Sequence, residues 1–230
     1  GEFELARGIT AAKPDEIAVA DWMNNRVVIY NNKGQIKSSI PVIANDVAAL
    51  PNQWVLANPG IVKVYNKDTT LASEFHTVPQ SEVGKTDVQL FSVAVRKTGN
   101  IIVGDGRRNV LTEHSSTDWS LIHTVPLEIR PGYLAVTDDD RIVISDVVKG
   151  RAGIVDVVDG KATTESTIQP TIEGQPVKHC SGVASNSSGI YIAVGMGKVD
   201  TCHIHHYDRR GQFVSCVAKG LNNPCGISFT

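Results

Sequence analysis

The chain has 230 residues, with 22 basic against 24 acidic side chains and a formal charge of −2. That balance excludes nucleic-acid binding driven by whole-domain charge and leaves only a local basic patch for such a role. No run of about 18 apolar residues reads as a membrane span, and no secretory leader is visible, so a cytoplasmic location is expected.

Residues 1–5, Gly1-Glu2-Phe3-Glu4-Leu5, read as a vector-derived scar, which leaves 6–230 as one domain excised from a longer protein. Helical periodicity is almost absent from the rest. Short runs rich in Val, Ile and Thr are punctuated by Gly, Asn and Asp, a pattern of short strands. The first unit has Arg7-Gly8-Ile9-Thr10 as strand A and Glu16 to Asp21 as strand B. Arg26 to Tyr30 follows as strand C and Gln35 to Ile40 as strand D. The second has Gln53 to Ala57 and Ile61 to Tyr65. The third has Phe91 to Val95, Asn100 to Asp105, Asn109 to Glu113 and Trp119 to His123. The fourth has Tyr133 to Val136, Arg141 to Asp146 and Ala152 to Val157. The fifth has Ser181 to Ala184, Ile190 to Gly195, His203 to Tyr207 and Gln212 to Cys216. A repeat of roughly 35–50 residues predicts a β-propeller of four-stranded blades. Turns ending in Gly34 and Gly211 suit hairpins that need positive φ.

The stretch Asp21-x-x-Asn24-Asn25-Arg26-Val27-Val28-Ile29-Tyr30-x-x-x-Gly34 resembles the signature of NHL repeats. Arg7-Gly8-Ile9 and Pro224-Cys225-Gly226-Ile227 resemble that family's lead-in to strand A. The family usually has six blades, whereas this chain shows five complete units and a spare strand-A sequence at Cys225–Thr230. The expected architecture is a five-bladed ring, closed by the final segment pairing into the first blade in place of the segment around Ile9. The alternative is six blades with the last incomplete. Closure protects strand edges and favours the first arrangement.

Several residues suggest chemistry. Cys180, Cys202, Cys216 and Cys225 form no C-x-x-C pair and read as reduced structural cysteines. In Cys202-His203-Ile204-His205-His206, strand alternation puts His203 and His205 on one face. That pair could hold zinc with a third ligand from elsewhere, but no such ligand stands at a diagnostic spacing. A strand with polar side chains between blades or facing solvent is the simpler reading, and no metal or other cofactor is expected. The run Asp138-Asp139-Asp140 suits a solvated turn better than a calcium loop. No nucleophile elbow is present. A metal-dependent propeller enzyme of the lactonase or lyase type would need ligands converging in the central tunnel. His179 and Asp46 are candidates to point there.

Loop charge is more informative. B-to-C and D-to-A connections share one face of a propeller, here called upper. Arg107, Arg108, Lys149, Arg151 and Lys198 fall in B-to-C loops, and Arg130, Lys178 and Lys219 in D-to-A loops. Such a face suits phosphate contacts, and Trp22 and His179 stand near it for stacking on bases. Acidic Glu82, Asp87, Glu173 and Asp200 share these loops, so ordinary mixed charge is the competing reading. Many NHL propellers end tripartite-motif ubiquitin ligases, where they recruit proteins or RNA. The resemblance therefore implies a recognition module of such a ligase. Its upper-face residues Trp22, Arg107, Arg108, Arg130, Lys149, Arg151, Lys178 and Lys198 would bind a protein substrate or single-stranded RNA. Ubiquitin transfer would belong to other domains of the parent chain.

Overall fold

The protein is described by a computed structural model covering residues 3–12, 15–198 and 200–229. Its strands form five antiparallel four-stranded sheets, each in simple sequence order. Blade I comprises β1 (Ala6–Ala12), β2 (Glu16–Asp21), β3 (Arg26–Asn31) and β4 (Ile36–Ile40). Blade II comprises β5 (Asp46–Ala49), β6 (Gln53–Asn58), β7 (Ile61–Asn66) and β8 (Leu71–Phe75). Blade III comprises β9 (Leu90–Val95), β10 (Ile101–Asp105), β11 (Val110–His114) and β12 (Leu121–Pro126). Blade IV comprises β13 (Tyr133–Val136), β14 (Ile142–Asp146), β15 (Arg151–Val158) and β16 (Lys161–Ile168). A small hairpin, β17 (Thr171–Ile172) and β18 (Gln175–Pro176), precedes blade V. That blade comprises β19 (His179–Asn186), β20 (Gly189–Gly195), β21 (Cys202–Tyr207) and β22 (Phe213–Leu221). The five-bladed propeller expected from the repeat is present, and among the described residues no helix is long and apolar enough to cross a membrane.

Strand alternation explains how the blades cohere. Val27 and Ile29 join Ala18 and Ala20 of their own blade and Trp54 and Leu56 of blade II in one buried cluster. Three further apolar clusters fill the junctions between blades II and III, III and IV, and IV and V. Each large aliphatic side chain buried there contributes roughly 1.5–3 kcal/mol. The outermost strands alternate instead between exposed and half-buried positions. Gly34 and Gly211 adopt φ of 73° and 85°, as their turns demand.

The junction between blades V and I is built differently. The inner strands pack side by side in the order β1, β5, β9, β13, β19. Residues Asn222 to Phe229 lie between β19 and β1, without strand pairing. Ser181 Oγ donates to the Pro224 carbonyl at 2.6 Å, and the Ala11 amide donates to Ser228 Oγ at 3.1 Å. Gly182 and Gly226 permit this approach. A methyl group on Gly182 would fall 1.9 Å from the Cys225 carbonyl oxygen, and one on Gly226 would fall 2.6 Å from that of Arg7. The final segment therefore does not replace the strand around Ile9, contrary to the sequence expectation. That strand is β1, paired with β2 at Ala6 and from Ile9 to Ala12, and the final segment takes a sixth inner position beside it.

Other boundaries shift modestly. Blade II gains an inner strand, β5, that its sequence did not announce. Trp119 leaves the expected outer strand of blade III for a turn at φ 63°, where it stacks on Phe75 at 5.8 Å. Lys219 belongs to β22 and not to a loop.

Candidate binding face

Three B strands end on a buried aspartate, and each aspartate organises the loop that follows. Asp105 is fully buried. Its Oδ1 accepts the amides of Gln89, Arg107 and Arg108, and its Oδ2 accepts Arg108 Nε at 2.6 Å. Asp146 accepts the amides of Val148 and Lys149, with Arg151 Nε 3.6 Å from its Oδ2. Asp21 accepts the Glu4 amide, Asn24 Nδ2 and Arg26 Nε. Burial alone would raise the Asp21 carboxyl, yet these three donors hold it below the usual carboxylate range.

This arrangement divides the sequence-derived upper-face set. Arg108 also donates to the Thr77 carbonyl, and Arg151 donates to the Glu128 carbonyl, so both guanidiniums are tied to the protein's own backbone. Arg107 is exposed and pairs with Asp87 at 2.8 Å. Lys149, Lys178 and Lys198 have exposed side chains. Trp22 is half-buried, with the Arg7 guanidinium 4.0 Å above its ring, so one face of the indole is already taken. Arg130 stands at the axis, donates to the Gly106 carbonyl at 3.1 Å and lies 5.3 Å over the ring of Phe91.

Around Arg130 opens a cavity of about 550 Å3, the upper mouth of the propeller axis. Its wall includes Arg7, Asn45, Tyr133, His179 and Cys225, with Leu5, Phe91, Val147 and Val148 supplying apolar surface. Arg7 Nη1 donates to Asn45 Oδ1, and Asn45 Nδ2 donates to the Leu90 carbonyl, which fixes the guanidinium at the rim. Burial, and then the adjacent Cys225, push the Tyr133 hydroxyl well above its usual range, so it stays protonated. Burial lowers His179 and favours its neutral form. The mouth can thus offer neutral donors and two cations beside an apolar wall. Val148 is 64% exposed, and Met23 and Ile43 are exposed on other loops of the same face.

Arg130 and His179, expected on or near the upper face, line this mouth together with Arg7, Asn45, Phe91, Tyr133 and Cys225, which sequence reasoning did not single out for it. One signal could have found most of them. Arg7, Asn45, Phe91, Gly132, Ser181 and Cys225 all line the mouth, and each stands at the start of an inner segment.

Below the mouth, the channel is lined by the five inner strands and the final segment. Asp46 reaches this wall. Burial raises its carboxyl to about 7, against the amides of Val93 and Val47, which bond it and favour its charge. It is the one ionisable carboxylate among the described channel-lining residues. On the opposite face, Asp138, Asp139 and Asp140 pair with Lys97, Arg141 and Arg96 in the turn of blade IV.

No protein-family model and no curated protein sequence matches this chain. Solved structures match it throughout. A streptogramin B lyase is 12% identical with a TM-score of 0.68, covering 95% of this chain and 70% of its own. A luciferin-regenerating enzyme is 13% identical with a TM-score of 0.75, covering 98% and 80%. The β-propeller domain of Cps50 (Swd1) from Myceliophteria thermophila is 11% identical with a TM-score of 0.72, covering 100% and 78%. The chain is a β-propeller. Similarity at this level of identity bears on fold alone.

Proposed function

We propose that the domain is a recognition module that takes a protein segment into the upper axial mouth. The observation that carries this reading is the coincidence of apolar Phe91, Val147 and Val148 with Arg7 and Arg130 around one 550 Å3 cavity. A partner would seat an apolar side chain on that wall and direct a carboxylate or carbonyl to the guanidiniums. Buried anchors surrounded by polar contacts supply most interface energy. The apolar rim favours a protein partner over single-stranded RNA, because Arg108 and Arg151 are bound internally and Trp22 is covered on one side. The NHL-like motif of blade I supports a place in a tripartite-motif ligase, with this domain selecting the substrate. A metal-dependent enzyme would need several ligands in the channel, where Asp46 stands among glycine, alanine, valine and hydroxyl residues.

The test is selection from a displayed random-peptide library on the intact domain. The expected result is peptides with an apolar anchor beside an acidic residue, whose binding Arg130→Glu and Val148→Asp abolish. Oligouridine binding that falls steeply with salt, with no peptide selected, would replace the protein reading with RNA.

A further inference from the structure

The structure supplies what the histidine cluster of blade V lacked in sequence, a third ligand. His203 and His205 share one face of β21, and the strand register sets Cys216 of β22 directly opposite His205. One donor atom from each of the three lies within 4.8 Å of the others. His205 Nε2 and His203 Nδ1 are 3.4 Å apart. Two imidazole nitrogens bound to one tetrahedral zinc, at about 2.0–2.1 Å each, would be separated by about 3.3–3.4 Å. The histidine pair therefore already has the spacing of two corners of such a site.

The surroundings suit the right nitrogen. His205 is buried, and its Nδ1 lies 3.2 Å from the Tyr207 hydroxyl. In the tautomer that carries its proton on Nδ1, where the Tyr207 hydroxyl accepts it, the Nε2 lone pair points to His203 Nδ1. Ligating histidines are commonly oriented in this way through their second nitrogen. Phe213 packs edge-on against the His205 ring at 5.2 Å and adds an apolar side to the site. His203 and Cys216 are half-exposed, which leaves a path for an ion and a fourth position for water. Cys216 now donates its S–H to the Ala218 carbonyl, so its closure onto a metal would break that bond.

We propose that His203, His205 and Cys216 form a Zn2+ site on the outer part of blade V, with water as the fourth ligand. On binding, the Cys216 thiol gives its proton to solvent and its sulfur bonds the metal, so affinity rises with pH.

The experiment titrates Zn2+ into the metal-free domain against a chromophoric chelator and repeats the titration with Co2+. The expected result is one tight equivalent and a sulfur-to-cobalt charge-transfer band. Cys216→Ser should remove that band and weaken Zn2+ at least about 100-fold, while His76→Ala changes neither. Tyr207→Phe should weaken Zn2+ by about 10–100-fold. His203→Ala, at a half-exposed position, gives a second ligand variant should Cys216→Ser fold poorly. Absence of a tight equivalent in the wild-type domain would overturn the site. So would a cobalt spectrum without the thiolate band, or full affinity in both ligand variants.

Discussion

Arg108 and Arg130 lie on the same face of the propeller, yet they do different work. Arg108 follows a buried aspartate by three residues and is folded back onto it. Arg130 follows no such aspartate and stands at the axial mouth over Phe91. The contrast generalises to Arg151, held near Asp146, and to Arg7, which reaches the mouth beside Asn45. An arginine whose guanidinium turns back to a strand-ending aspartate is thus part of the loop's internal bonding, whereas Arg7 and Arg130 present theirs at the axial mouth. Counting positive residues per face misses this distinction, because it treats both kinds as surface charge.

Removing the aspartate breaks the structural half of this comparison most severely. Asp105→Ala strands three backbone amides and the Arg108 guanidinium, and should cost about 2–5 kcal/mol in urea unfolding. Asp46 gives the next effect, through pH. Its folded-state value of about 7 lies above that of an unfolded aspartate, so its contribution is favourable at low pH and is lost as pH rises through about 7. Asp46→Asn should therefore gain on the wild type between about pH 4 and pH 7, on the order of a few kcal/mol. Parallel unfolding curves at pH 4.5, 6 and 8 check this, and a constant difference would contradict it.

Smaller effects sharpen the functional half. Arg130→Ala should weaken a selected peptide about 10-fold in fluorescence anisotropy while shifting stability by less than about 1 kcal/mol. Arg107→Ala, which loses only an exposed pair with Asp87, should change stability by less than about 0.5 kcal/mol.

Much of the propeller is written locally. Asp21, Arg26 and Gly34 mark the B strand, C strand and turn of blade I, because each serves a nearby bond or dihedral angle. The inner strand of blade II was harder to read. It has only four residues and begins with Asp46, at the position where β1 and β19 carry Gly8 and Gly182. The mouth was largely hidden, since its residues come from separated inner segments that meet only when the ring forms. The histidine face on β21 could be read from strand alternation. Its partner Cys216 could not, because the β21–β22 register slips at three places.

The most direct test of the account is the affinity of a library-selected peptide for the wild-type domain and for Arg130→Glu, with folding verified by urea unfolding. Loss of binding at least about 100-fold with unchanged stability is the predicted result. Unchanged affinity in Arg130→Glu, or binding lost only when Lys149 and Lys198 are replaced, would contradict recognition at the axial mouth.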